Sequence, residues 1–513
     1  MRSTTRAAAA GLVGLATAAA LVACSPPSDD PGETTFSVGV DAFDFVGVGA
    51  WNPALDSARP RFLGSIVYDV LAVWRPGIQD FEPRLAEDMT FSEDRMTLTI
   101  DLRDDVDYVD GEHLTAATVE TYLDNLLTAP GYVFAGDVLP YEPEFTAVDE
   151  YTLELTTSKP IYVPDFFALF GETPILSPAA VADPEAAKTE PMGTGPYVIE
   201  EVITDSEATF VRNDDYWDPE AFPFDRVVVK LIEDPVARLN ALKSGQIDAA
   251  QVSTEFVAEA EAAGLSLAET SAYFSTLWVR DPVNSTLEPL RDARVRQAMS
   301  YALDREGINE TLDLGYGRVT SQIFNPGQFG YVEGGDDRYP YDLEKARDLM
   351  AEAGYADGFD VTIPTYVDMD KVSPIVQQSL ADIGIRVTYE ATADRLEWFT
   401  AMTSGQYPLV LEGIQGPVWS LRILVDDFAG FGRPFAQNDR VDELMAVIKG
   451  GSAEESQAAA DEMGEMLLED AWYIPINRPS KLWATVSDIV LTSDPTEVTL
   501  PDYPVLRDFA PAE

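Results

Sequence analysis

Between Val227 and Val252 the chain reads as strand, helix, strand, and few folds can hold that unit. Val227, Val228, Val229, Leu231 and Ile232 form a nearly continuous β-branched apolar run, as expected for a central strand covered on both faces. Asp234 and Pro235 then supply a capping acceptor and a preset φ, so a helix should start there. Val236, Leu239 and Leu242 fall on one face of it, Gly245 is a left-handed stop, and Ile247 to Val252 reads as a second strand. Two strands joined by about ten helical residues cannot be a hairpin and imply a parallel crossover.

A chain of 513 residues exceeds what one core usually holds, so two or more domains are expected. Cys24 is the only cysteine and His113 the only histidine. An intrachain disulfide and a cysteine metal cluster are therefore excluded, and nucleophilic catalysis has one available base. The formal charge is -55. Phosphate neutralisation needs the opposite sign, so nucleic acid is not a partner. The acidity reads instead as a strongly hydrated surface, suited to an exported protein in salt.

Arg2 and Arg6 precede an apolar, alanine-rich run from Ala7 to Ala23, too short for a stable span and shaped like a secretory signal over residues 1–23. Leu21-Val22-Ala23-Cys24-Ser25 resembles a bacterial lipobox, which implies lipidation of Cys24. Residues 24–34, rich in Pro, Asp and Ser, then form a flexible tether.

Further on, Phe36 to Val40 reads as the first strand, and Met96, Leu98 and Ile100 as the buried face of another. Asp110-Gly111 makes a turn, in which His113 is expected as a surface histidine without a partner. Thr115 caps a helix whose inner face is Val119, Tyr122, Leu123 and Leu126. Tyr162 to Phe170 is an aromatic patch in a subdomain core. Asp292 and Asp342 cap later helices, and Arg294 and Arg296 are expected as scaffold cations. Strands at Phe359 to Ile363, Ile385 to Tyr389 and Pro408 to Leu411 alternate with helices, which predicts a mostly parallel sheet in this half.

MGTGPYVI, VRNDDYW and ALKSGQID lie in order within Pro191 to Val252. With FEPRLAEDMTF before them, and PLRDARVRQAMSYALDREGI, YDLEKARDLMAEAGYADGFDV and AWYIPINRPSKLWATVSDIV after them, they resemble the signatures of the family 5 extracellular solute-binding proteins, the peptide-type receptors of ABC importers. Gly193 and Gly195 precede a strand, not a helix, so they are no phosphate loop. The resemblance covers nearly all of Phe36 to Val490. It implies an α/β, two-lobed periplasmic-binding-protein-like fold (type II, cluster C-like) with a hinge. The first lobe would take residues 35–270 and 484–513, with an extra subdomain at about 55–190, and the second residues 271–483. It also implies a monomeric receptor anchored by lipid to the outer face of the bacterial plasma membrane. Its partners would be a small solute and ABC permease and ATPase subunits, with no enzymatic step and no cofactor or metal.

Peptides are the ligand the resemblance implies first, and oligosaccharides second. A single turn histidine disfavours nickel. A secreted hydrolase would need paired carboxylates in a cleft, and a ligand-sensing or adhesive lipoprotein would share the same fold.

Ligands of open α/β sheets bind beyond the carboxyl ends of strands, which makes the loop after Leu411 the candidate specificity loop. Gln415, Trp419, Arg422, Asp426 and Asp427 mix an amide, a flat ring and both charges, as an orienting pocket requires. Peptide-binding relatives tend to carry Gly-Trp followed by aspartates here. This chain has Gly413-Ile414 instead, so the peptide-amine anchor is not carried over. Trp51 and Arg59 in the first lobe, and Trp278 and Arg280 beside the crossing between lobes, complete the expected ligand-binding set.

Overall fold

The structure is a computed structural model, and it describes residues 34–41, 64–75, 80–129, 138–161, 166, 170, 173–183, 186–188, 190–271, 273–280, 285–366, 369–393, 395–415, 439–492 and 505–512. Strand Thr35–Val40 runs parallel to both Arg226–Leu231 and Ala249–Val252, and sits between them. The expected parallel crossover is therefore present, with the N-terminal strand inserted into it. Helix Pro235–Lys243 connects the two strands, and the Asp234 carboxylate accepts from Ala237 N at 2.7 Å. Leu239 and Leu242 are buried as the periodicity requires, but Val236 is 49% exposed. It lies in the first turn, whose buried residue is Arg238, donating to the Ile232 and Gln251 carbonyls.

Antiparallel strands Glu207–Arg212 and Tyr197–Ile203 extend this sheet on one side, and Ser480–Thr485 and Ser266–Ser271 on the other, giving seven strands of mixed direction. A four-stranded antiparallel sheet, with helix Ala116–Thr128 against it, shares the same core. Thr115 caps that helix, and Val119, Tyr122, Leu123 and Leu126 are buried on its inner face.

A second core is built from residues between Leu277 and Ile476. Its strands are not mostly parallel. Phe359–Thr365 and Ile385–Ala391 form a parallel pair, but Leu409–Gln415, Tyr273–Val279 and Tyr473–Asn477 make an antiparallel sheet of three. The reason is connectivity: the chain enters this core along Tyr273–Val279 and leaves it along the neighbouring Tyr473–Asn477, so these two must run in opposite directions. Asp292 and Asp342 cap their helices as expected. Arg296 is buried and spends its donors on the Asp470, Leu290 and Arg291 carbonyls, while Arg294 holds Asp292 and the Glu352 carbonyl.

Pro191 to Val252 contributes close approach. A Cβ on Gly195 would stand 2.5 Å from both Tyr68 N and the Val67 carbonyl oxygen, which are backbone atoms that cannot turn aside. Gly195 N instead donates to that oxygen at 3.2 Å, and Asn213 Nδ2 donates to the Gly195 carbonyl at 3.0 Å. Gly195→Ala should lower stability by about 3 kcal/mol, read as a shift in urea midpoint. An unchanged midpoint would show that the two segments can separate freely.

Candidate functional site

Strand Leu409–Gln415 ends at Gln415, whose backbone pairs with Tyr273. Tyr273 lies two residues past Ser271, which is registered against Ser480 in the seven-stranded sheet. Both passages of the chain between the cores therefore lie side by side at the end of strand Leu409–Gln415, just before the expected specificity loop of residues 416–438. Trp419, Arg422 and Asp426 fall within it and lie outside the described residues, as do Trp51, Arg59 and Cys24.

Trp278 and Arg280 are described, and they meet. The Arg280 guanidinium carbon lies 4.4 Å from the centre of the Trp278 ring. Trp278 is 5% exposed and stacks on Tyr473, with ring centres 5.7 Å apart and planes inclined by 20°. Its indole nitrogen is buried without a hydrogen-bond partner among the described residues. Burial pushes the Tyr473 phenol well above its ordinary value; Glu412 adds to this and Arg280 opposes it. Tyr473 and Glu412 were missed by sequence reasoning. Their only signal was alternation along two strands whose pairing is set at long range.

Arg478, at the second passage, was also missed. Its carbonyl accepts from Arg318 N at 2.9 Å, and its guanidinium reaches Asn325 and the Ile323 carbonyl. Burial, followed by the neighbouring Arg318, pushes it down to about 9. The passage is thus clamped to the second core as far as Arg478.

In the first core, Asp69 is a buried carboxylate that accepts from Tyr216 OH at 2.8 Å, Trp217 Nε1 at 3.0 Å and Val70 N at 2.8 Å. Burial pushes it above the ordinary carboxylate range, against the pull of Arg84 and these donors. It borders a cavity of ≈ 80 Å³ shared with Tyr68, Val70, Arg84, Phe222 and Arg507. His113 does have partners, contrary to expectation: Nδ1 lies 2.6 Å from Asp107 Oδ1 and Nε2 lies 3.2 Å from the Tyr151 hydroxyl. The ring ties its turn to the neighbouring strand. No group of three metal-ligating His, Cys, Asp or Glu side chains occurs among the described residues.

The Trp278 stack makes a measurable distinction. Trp278→Ala should cost about 3–5 kcal/mol of stability without any ligand, whereas Arg280→Ala should cost about 1 kcal/mol or less. Urea unfolding of both variants checks this, and equal small losses would show that the ring is not core.

The profile of the bacterial extracellular solute-binding proteins, family 5, middle region, matches residues 80–428. Heme-binding protein A of Haemophilus influenzae is 28% identical over 63% of this chain and 65% of its own length. The glutathione-binding protein GsiB of Shigella boydii is 28% identical over 64% and 62%, so the chain spans a little under two thirds of the length of these relatives. The structure of HbpA2 from Haemophilus parasuis covers 93% of this chain and all of its own, with a TM-score of 0.79 at 21% identity. That of NikA from Brucella suis, in complex with Fe(III)-EDTA, covers 94% of this chain and 100% of its own, with a TM-score of 0.78 at 20% identity. These likenesses establish the two-lobed α/β fold. The chain belongs to the bacterial extracellular solute-binding proteins of family 5.

Proposed function

We propose that the protein is the extracytoplasmic receptor of an ABC importer, capturing a peptide or peptide-like solute between its two lobes and delivering it to a membrane permease. The observation that carries this reading is that strand Leu409–Gln415, which precedes the expected specificity loop, ends against Tyr273 at the paired passages between the cores. Lobe closure over a solute at that level excludes water from it. Trp419, Arg422, Asp426 and Gln415 are assigned as contacts from the second lobe, and Trp51 and Arg59 as contacts from the first. Trp278 and Arg280, a stacked pair five and seven residues along the chain from Tyr273, are assigned to the same set. Relatives named for glutathione, and a structural neighbour in complex with the dipeptide Met-Leu, favour small peptides. No bond is broken in this role.

Thermal shift against Met-Leu, glutathione, longer peptides and oligosaccharides tests the ligand class. A solute at about 100 times its Kd adds ~2.7 kcal/mol. A response to sugars alone would overturn the peptide assignment, and turnover of any probe would overturn the receptor reading. Trp419→Ala should abolish most of the shift and leave the unliganded melting point in place.

Lipid anchoring through Cys24 completes the proposal, since two or more acyl chains hold a protein stably at a membrane. Cys24→Ala should move the protein from the membrane fraction into the medium or a soluble fraction. Retention in the membrane would refute the anchor.

A further inference from the structure

Arg95 occupies the turn between strands Ala86–Phe91 and Thr97–Leu102, with φ at 55°. A positive φ is costly for a residue with a Cβ, and such residues persist where surrounding bonds over-determine them. Those bonds are present: Arg95 N donates to the Ser92 carbonyl at 2.9 Å, and Ile161 N donates to the Arg95 carbonyl at 3.0 Å. Arg95 lies three residues before Leu98, which is buried in the first core.

The side chain leaves that core. Arg95 Nη1 donates to the Ile448 carbonyl and to Ser456 Oγ, both at 3.4 Å. Ile448 lies in the last turn of helix Asp439–Gly450, and its side chain is buried in the second core. Carbonyls in a last turn lack intrahelical donors and carry the negative end of the helix dipole, so a guanidinium suits them better than a neutral donor would. Ser456 is 1% exposed and donates onward to the Val447 and Gly451 carbonyls. The acceptor site is therefore itself fixed.

We propose that Arg95 is a positioning residue for capture: a latch that ties the first lobe to the C-terminal end of helix Asp439–Gly450 and so stabilises the approach of the two lobes. This rests on the reading that the lobes close around a solute. The paired passages act as the pivot, and the Arg95 contact is a second tie that does not run through them. Removing it shifts the balance toward the open form, and apparent affinity falls with the population competent to close.

Asparagine accepts a positive φ more readily than arginine does, so Arg95→Asn removes the cation while easing the turn. Arg95→Lys keeps the charge. Small-angle scattering of the full chain without added solute should show a larger radius of gyration for Arg95→Asn, a wild-type profile for Arg95→Lys, and closely similar urea midpoints for all three. The closed-to-open ratio is expected to fall roughly three- to fivefold. Scattering from Arg95→Asn that superposes on wild type would overturn the latch. If that variant melts early, Arg95→Gly, which removes the φ penalty altogether, repeats the comparison. Met-Leu and glutathione thermal shifts on the same samples separate the two readings. A shift with scattering indifferent to Arg95 refutes the latch and leaves capture standing, whereas scattering that responds while neither probe shifts upholds the latch and counts against the ligand class.

Discussion

A carboxylate taken out of water must be surrounded by donors, and Asp69 shows how much of the first lobe is arranged to supply them. Its partners Tyr216 and Trp217 come from VRNDDYW, nearly 150 residues away in the chain. They can reach it because Gly195 lets the preceding segment lie directly on Val67 and Tyr68. The Trp217 ring also carries the Arg103 guanidinium at 4.2 Å. What looks in sequence like a string of separate motifs is, in space, the housing of one buried charge. Removing a donor leaves that charge under-solvated, which costs more than the bond itself contributes.

Buried arginines play the corresponding part in the second lobe. Arg305 is buried without a carboxylate partner among the described residues; it donates to the Pro475, Ser300 and Tyr339 carbonyls and the Ser300 hydroxyl, and burial pushes it down to about 10. Arg296 likewise donates to carbonyls, and Arg478 donates to the Asn325 side chain and the Ile323 carbonyl. Each ties the strand Tyr473–Asn477, or the residues flanking it, to helices and loops on the entering side. The departing strand is thereby braced along its length, and freedom between the lobes is left to the few residues beyond Arg478.

Local rules made much of the scaffold legible. Asp234, Thr115, Asp292 and Asp342 each cap the helix expected of them, because capping needs only neighbours two or three residues on. Strand Arg226–Leu231, readable from β-branching alone, is an interior strand of the seven-stranded sheet. Reasoning stopped where partners are distant in sequence. Nothing near His113 announces that Asp107 and Tyr151 converge on it, and strand-helix alternation cannot reveal that Tyr273–Val279 and Tyr473–Asn477 are antiparallel neighbours. Of the expected ligand set, Trp278 and Arg280 do come together, but it took the stack on Tyr473 to show that the tryptophan is buried.

The register of Ser271 against Ser480 has a consequence for how such a molecule is assembled. Residues facing each other across an antiparallel ladder lie about 5 Å apart, so everything between these two serines is spliced into the first lobe at a gap that a hairpin turn can close. The second lobe is in that sense an insertion at one rung of a ladder. It can lengthen, shorten or change its loops over evolutionary time without asking the seven-stranded sheet to alter the order or direction of any strand.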